Sequence, residues 1–329
     1  MRKVKVGAIQ PGGIHVPEKY NCYSDFYIND VSEIIENYVK KQIAVTLELL
    51  RKAGEEGCDI VTSCEDMSML SGYGMDITEK NIFPELVGHI EPYIKEQLSA
   101  IAREYSMYIV GCYLILRDNK VYNIASVFDR KGEIVGEYRK THLPPMEKWQ
   151  STQGDTINVF DLDFGRIGVC ICYDMMFPEF VQVQALKGAE IIFHPTFGYG
   201  WYDSIGEATL RTRANDHGVY IVTAKNYVYN CAGNSCVVDY WGQVLADAGF
   251  YENTIVTMDI DLDIPKTQPD FHFLTNVTGV AEVAERKLSE RRPEMYGIIT
   301  EKNEGNFKDL THEEKLQVFE KIKSGKVRW

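Results

Sequence analysis

The sequence predicts an α/β protein built around one large domain. Two observations carry this prediction. Short apolar strands alternate with amphipathic helices along most of the 329 residues, and each half of the pattern ends in a strand–turn–strand unit. No linker separates the halves, which favours a doubled architecture within one domain. The composition agrees, because 45% apolar and 25% charged residues are typical of globular proteins.

The first half begins with a strand and a long helix. Apolar residues alternate over 3–9, which predicts a strand, and the polar segment 11–29 predicts a loop. Ser32 is a suitable N-cap for a helix whose apolar residues recur at helical spacing, and Gly57 ends that helix. The later elements of this half are predicted as a strand over 59–63, a helix over 93–105, a strand over 107–116 and a hairpin of strands 121–128 and 134–138.

The second half repeats this order after a loop over 142–156. Strands are predicted over 158–162, 166–172, 189–194, 220–226, 235–239, 244–247 and 254–260, and helices over 180–187 and 207–215. From Pro265 onward the pattern changes to loops and one amphipathic helix over 311–322. The chain therefore divides into a large α/β domain and a C-terminal arm.

Composition and charge argue against several classes of function. The net charge of −13, with no cluster of lysine and arginine, argues against nucleic-acid binding, which needs a basic surface. Charges interrupt the short alternating N-terminal segment, and no run reaches the roughly 18 apolar residues of a membrane-spanning helix. We therefore expect neither a signal for export nor a membrane-spanning helix. The eight cysteines are too sparse for a disulfide scaffold, which favours a reducing cytoplasm. They include no Cys-x-x-Cys pair, which argues against a structural zinc site.

Three predicted strands end in side chains that could act together. Cys172 lies where an apolar strand breaks before a helix, Lys140 ends a second strand and Glu65 ends a third. Strand ends along one sheet edge line a common crevice, and a thiol nucleophile needs a base and a positive charge beside the developing oxyanion. Each residue also has an ordinary interpretation: a buried strand cysteine, a solvated lysine, and a capping or surface carboxylate. Cys170, in mid-strand, is expected to be buried.

The residues around these positions resemble motifs of the nitrilase superfamily, the carbon–nitrogen hydrolases, and the resemblance covers about residues 4–263. The matching motifs are Glu65 with Gly72-Tyr73, Lys140-Thr141-His142-Leu143, Cys172-Tyr173-Asp174 with Phe177-Pro178-Glu179, Arg213-Ala214, Asn226, and Ser235 with Val238-Asp239 and Gly242. The sequence departs from the family at Cys64, where proline usually precedes the glutamate, and at Asp216-His217, where glutamate and asparagine are usual. These departures and the long 11–29 loop bear on substrate specificity, because every catalytic group is retained.

The resemblance implies a four-layer αββα sandwich over 4–263, with no metal or organic cofactor. It implies a cysteine-dependent hydrolase of linear, non-peptide C–N bonds, acting on a small amide through a thioester and releasing ammonia or an amine. It also implies a homodimer whose helices pack across subunits, often within larger assemblies. The arm over 264–329 would then belong to a subunit interface, and the alternative is that it packs against its own domain.

The family pattern assigns catalytic roles to a few of these positions. Glu65 would be the general base and Cys172 the nucleophile, with Lys140 and the backbone N–H of Tyr173 stabilising the oxyanion. Glu147, seven residues after Lys140, resembles a second glutamate that holds the lysine or the leaving nitrogen. The alternative for Glu147 is an ordinary surface carboxylate.

The residues after the nucleophile narrow the substrate class. Cys172-Tyr173-Asp174 is the amidase and carbamoylase style, and D-amino-acid carbamoylases tend to place an arginine soon after the cysteine. Here Met175 and Met176 offer an apolar wall without charge. Further candidates for the substrate pocket are His194, Phe197 and Trp201. An N-carbamoyl hydrolase acting on a ureido substrate is the main alternative, followed by a nitrilase and a catalytically silent binding module.

Overall fold

The computed structural model describes residues 2–14, 16–24, 27–76, 81–198, 203–227, 233–264, 288, 290–301 and 310–324. These residues form two mixed six-stranded sheets that pack face to face, with helices on their outer faces. The predicted α/β class and the four-layer αββα sandwich are therefore confirmed.

All of the predicted strands are present, with ends shifted by a few residues. They are β1 (Lys3–Gln10), β2 (Ile60–Thr62), β3 (Tyr108–Arg117), β4 (Lys120–Phe128), β5 (Ile134–Arg139), β6 (Val159–Asp161), β7 (Arg166–Val169), β8 (Ile191–Thr196), β9 (Tyr220–Lys225), β10 (Cys236–Val238), β11 (Val244–Asp247) and β12 (Thr254–Asp261). The first sheet has the order β12-β1-β2-β3-β4-β5, and the second has the order β11-β10-β9-β8-β7-β6. The two orders correspond, as the doubled sequence pattern indicates.

The helices pack outside the two sheets. They are α1 (Val31–Ile34), α2 (Lys40–Glu55), α3 (Phe83–Tyr105), α4 (Pro178–Leu186), α5 (Asp203–His217) and α6 (His312–Lys323). One π-helical segment, Ile35–Val39, joins α1 to α2, so the predicted long helix is continuous. Its N-cap is Asp30 and not Ser32, because the Asp30 carboxylate accepts the Glu33 N–H at 2.9 Å.

Helix α3 begins ten residues before the predicted start at Tyr93. Pro84 occupies its first turn, where the missing N–H costs nothing, and Pro92 lies inside the helix on the exposed side. Helix α3 nevertheless carries an apolar stripe along its whole length, which packs with α2 against the outer face of the first sheet. The predicted start at Tyr93 was therefore wrong.

Parallel strands set the direction of the two sheets. In the first sheet β1, β2 and β3 are parallel, and β5 runs in the same direction because β4 is antiparallel to both of its neighbours. In the second sheet β7, β8 and β9 are parallel. The carboxyl ends of β2 and β5 therefore share one edge, as do those of β7, β8 and β9.

The described part of the C-terminal arm contains α6 and two short 3-10 turns, Pro293–Met295 and Gly297–Thr300. Helix α6 starts in a capping box of Thr311 and Glu314 and buries Phe319, whose ring centroid lies 5.6 Å from that of Tyr23. This helix thus packs against the 11–29 loop of its own chain. No helix within the described ranges is long and apolar enough to cross a membrane.

Candidate active site

Glu65 follows β2 and points a buried carboxylate into the space between several strand ends. Its Oε1 accepts hydrogen bonds from Lys140 Nζ at 2.7 Å and Asn123 Nδ2 at 2.9 Å. Its Oε2 accepts the backbone N–H of Phe197 at 2.8 Å. The carboxylate is therefore held at both oxygens by groups from both sheets, which fixes its orientation.

Lys140 follows β5 and is the central cation of the site, with a side chain only 1% exposed. Its Nζ lies 2.7 Å from Glu65 Oε1 and 2.5 Å from Glu147 Oε2. Burial alone lowers the pKa of Lys140, but the two carboxylates outweigh burial and hold that pKa well above its usual value. The ammonium group is therefore charged at neutral pH, and two of its three N–H groups are used by carboxylates.

Asn123 completes a closed ring of hydrogen bonds around the lysine. Its Nδ2 donates to Glu65 Oε1 and to Glu147 Oε1, each at 2.9 Å. Burial raises the pKa of Glu147, while Lys140 opposes that rise. Two anions and one cation are thus held together in a site largely removed from water.

Cys172 lies in a sharp turn at the end of the β7 segment. Strand β7 stops at Val169, three residues earlier than predicted, and Cys172 opens a 3-10 turn, Cys172–Met176, with a φ of +47°. A left-handed φ is uncommon for a residue other than glycine and marks local strain that the surrounding structure must hold. The turn places the thiol near the Glu65 carboxylate and the Thr196 hydroxyl, both of which shift its pKa.

The thiol is held in its neutral form at rest. Burial and the Glu65 carboxylate both raise the pKa of Cys172, and together they outweigh the opposing effect of Lys140. The arrangement therefore provides a protonated nucleophile beside a carboxylate base, instead of a preformed thiolate–lysine pair.

His194, on β8, lies behind the nucleophile. It is fully buried, with Nε2 3.2 Å from the backbone carbonyl of Cys172 and Nδ1 3.3 Å from the Thr223 hydroxyl. Burial lowers its pKa to about 4, so the ring is neutral at pH 7. Since a carbonyl can only accept, Nε2 carries the proton and Nδ1 accepts from the hydroxyl. His194 supports the backbone of the turn and exposes no surface to a substrate.

The other predicted substrate contacts are placed differently from one another. Met175 is fully buried within the core, whereas Met176 is 49% exposed. Phe197 is half-buried, and its backbone N–H is already bonded to Glu65. Tyr173 follows the nucleophile, with its ring packed edge-on against Phe177. Trp201 lies outside the described residues.

Sequence reasoning missed Asn123 and Thr196 and gave Asn226 no role. Asn226 donates from Nδ2 to the backbone carbonyl of Glu65 at 3.1 Å and accepts from the Cys64 thiol at 2.9 Å. Asn123 could have been noticed as a polar residue in a largely apolar strand, but no spacing rule links it to the two glutamates. Among the described residues, no group of three or more histidine, cysteine, aspartate or glutamate side chains is arranged to hold a metal ion.

Comparisons with known proteins agree on one family. The family model described as carbon-nitrogen hydrolase matches residues 35–265. Omega-amidase NIT2-B of Xenopus laevis is 35% identical over 231 residues, covering 65% of this chain and 81% of the relative. Omega-amidase NIT2 of Homo sapiens is 35% identical over 229 residues, covering 65% and 80%.

Solved structures show the same fold. A carbon-nitrogen hydrolase from Helicobacter pylori G27 superposes with a TM-score of 0.70 at 22% identity, covering 92% of this chain and 99% of that chain. An amidase from Nesterenkonia sp. superposes with a TM-score of 0.65 at 19% identity, covering 89% and 94%.

Proposed function

This chain belongs to the carbon–nitrogen hydrolase family, and from that premise we propose that Cys172, Glu65 and Lys140 are its nucleophile, general base and oxyanion-stabilising cation. The enzyme is a cysteine-dependent C–N hydrolase that acts on amides. The observation that carries the assignment is the buried Glu65–Lys140 pair, with Nζ 2.7 Å from Oε1, and the strained turn that brings the Cys172 thiol near that carboxylate.

The first half of the reaction forms a thioester. Glu65 takes the thiol proton as Sγ of Cys172 attacks the carbonyl carbon, and the carbonyl π pair moves to oxygen. The oxyanion then re-forms the double bond, the C–N bond breaks, and the proton from Glu65 goes to the departing nitrogen, which leaves as ammonia or an amine. A general base matters here because the resting thiol is neutral.

The oxyanion requires donors that do not depend on a change of conformation. Lys140 has one N–H beyond the two engaged by Glu65 and Glu147, and this third N–H is available to the substrate oxygen. The backbone N–H of Tyr173, adjacent to the nucleophile, is the proposed second donor. Donors fixed in a buried site stabilise developing charge more than donors in water do.

The second half releases the acid. Water attacks the thioester carbon while Glu65 accepts a proton from it, and the C–S bond then breaks. Cys172 recovers its proton from Glu65, which restores the starting state. Glu147 keeps Lys140 in place through both halves.

We infer that the substrate is a small molecule with a terminal amide. The relatives named omega-amidases support this inference, as does the uncharged Met176 surface after the nucleophile. An N-carbamoyl substrate stays open as the alternative, because the Cys172-Tyr173-Asp174 pattern serves both classes.

A substrate panel tests the proposal. Purified enzyme is incubated with terminal amides, ureido acids and nitriles while ammonia and CO2 are measured. Ammonia without CO2 supports the amidase, and ammonia with CO2 indicates a carbamoylase. Intact-protein mass spectrometry should show an acyl adduct that is absent from Cys172→Ala and present in Cys170→Ala, a control at a buried cysteine two residues away. Unchanged turnover in Cys172→Ala would refute the mechanism.

We also infer a homodimer or larger homo-oligomer in which the C-terminal arm contributes to an interface. Residues 293–300 present exposed apolar side chains, among them Met295 at 63% and Ile298 at 72%. Light scattering should give a mass of at least two chains, and Ile298→Asp should lower it without lowering the melting temperature. A monomeric wild type would refute the assembly, and an unchanged mass in the variant would refute the role of this segment.

A cytoplasmic location is the matching inference about compartment. Seven of the eight cysteines lie among the described residues, and each is a free thiol. Free thiols, one of them the proposed nucleophile, fit a reducing compartment.

A further inference from the structure

Asp174 is a fully buried carboxylate two residues after the proposed nucleophile, and it makes an unusual number of contacts. Its Oδ2 accepts the backbone N–H of Ile171 at 2.9 Å and the Tyr138 hydroxyl at 2.7 Å. Its Oδ1 accepts the backbone N–H of His142 at 3.0 Å and the Thr141 hydroxyl at 3.2 Å, and lies 2.9 Å from His142 Nδ1.

These partners belong to two separate segments of the chain. Ile171 immediately precedes Cys172 and is part of the strained turn that presents the thiol. The other partners lie in 138–142, the segment that carries Lys140 and belongs to the end of β5 in the first sheet. Asp174 is therefore a bridge between the nucleophile turn of one sheet and the lysine segment of the other.

The bridge requires a carboxylate and not merely a polar group. The two strictly donating partners are backbone N–H groups, Ile171 on Oδ2 and His142 on Oδ1. An amide of the same shape has one oxygen, so its NH2 group must face one of these two N–H donors. Whichever way the amide turns, either the nucleophile turn or the lysine segment loses its acceptor.

Resting on the proposed function, we propose that Asp174 is a positioning residue that sets the placement of the Lys140 ammonium relative to the Cys172 thiol. It touches no reacting atom. Loss of the Asp174 carboxylate should lower kcat and leave KM nearly unchanged, because small displacements of a donor from the oxyanion reduce the rate more than they reduce substrate binding.

The test compares Asp174→Asn with a matched change at Asp239. Asp239 is also buried and holds the turn between β10 and β11, where its Oδ1 alone accepts the Trp241 and Gln243 N–H groups. One amide oxygen can serve both, so Asp239→Asn should keep full turnover. Asp174→Asn should lower kcat about 100-fold with KM little changed. Active sites are counted by acyl trapping, so that kcat refers to folded enzyme.

A second variant and a second readout distinguish a loss of positioning from misfolding of Asp174→Asn. Tyr138→Phe removes one donor but keeps the carboxylate and both backbone N–H partners, and we expect a smaller fall in kcat, about tenfold. The rate of Cys172 alkylation by iodoacetamide at fixed pH should also fall in Asp174→Asn, since the Lys140 cation moves away from the thiol. The alkylation readout needs no substrate, so it still tests Asp174 if wild-type enzyme hydrolyses no amide.

A purely structural role gives a different result. Asp174→Asn and Tyr138→Phe would then lower the melting temperature, while kcat per titrated site and the alkylation rate stay within twofold of wild type. That outcome would overturn the assignment of Asp174 and leave the roles of Cys172, Glu65 and Lys140 untouched.

Discussion

Replacing Glu65 by glutamine should separate two properties of the nucleophile that normally change together. The variant removes the general base, so turnover should fall by about 10²–10⁴. It also removes the negative charge that raises the pKa of the Cys172 thiol. Hence Cys172 should become more reactive toward a simple alkylating agent while the enzyme becomes less active on amides.

The size of the effect on thiol reactivity can be estimated from Coulomb's law for two neighbouring charges. Two unit charges about 4 Å apart interact by about 4 kcal/mol at an effective dielectric constant of about 20, and about 1.4 kcal/mol corresponds to a factor of ten in thiolate population. Removing the Glu65 charge should therefore speed alkylation at pH 7.5 by about ten- to a thousand-fold. Lys140 stays charged in the variant because Glu147 still contacts it at 2.5 Å.

The assay follows iodoacetamide adducts on Cys172 by mass spectrometry across pH 6–10, beside steady-state ammonia release. Glu179→Gln is the control, since this glutamate is exposed and only seven residues from the nucleophile. Slower turnover together with slower alkylation would refute the reasoning, because Glu65 would then be supporting the thiolate. Unchanged turnover would remove Glu65 from the role of base.

Three further variants test the remaining groups. Lys140→Met should lower kcat by about 10²–10³ and, because it leaves two buried carboxylates without their cation, destabilise the fold by about 3–5 kcal/mol, as urea unfolding would show. Glu147→Gln should lower kcat about ten- to a hundred-fold at unchanged thiol reactivity, because only one of its two donors keeps an acceptor; normal kcat would contradict its role. His194→Asn should make the free energy of unfolding fall less steeply as pH is lowered. Since folding lowers the His194 pKa to about 4, the unfolded chain binds more protons as pH falls below about 6.5, and wild type should lose about 2 kcal/mol more than the variant between pH 7.5 and pH 5. Equal losses would mean that His194 titrates normally.

The sequence predicted the parts of the fold that depend on local pattern. Apolar strand patterns and turn residues located each of the described strands, and the strand ends indicated Glu65, Lys140 and Cys172, which the two sheets bring together. The start of helix α3 was predicted ten residues too late, because the stripe that begins at Phe83 is identified as helical only by its burial against the first sheet.

The supporting groups of the site could not be predicted in the same way. Asn123 bridges two glutamates that lie 58 residues before it and 24 residues after it, so only the folded pairing of β3, β4 and β5 brings them into contact. His194 was expected in the pocket, but it faces the Cys172 backbone. Which face a strand-end side chain takes depends on register, and a register shift of one residue reverses it.

The pairing of β1 with β12 has a consequence for how the enzyme is made. Lys3 lies opposite Asp261, so the first sheet is complete only after β12 has been synthesised and has paired with β1. Contacts this distant in sequence slow folding. Glu65 and Lys140 belong to that sheet and the nucleophile to the other, so the three groups meet only when the two sheets pack together. Hydrolytic activity should therefore appear only late in refolding, after most secondary structure has formed.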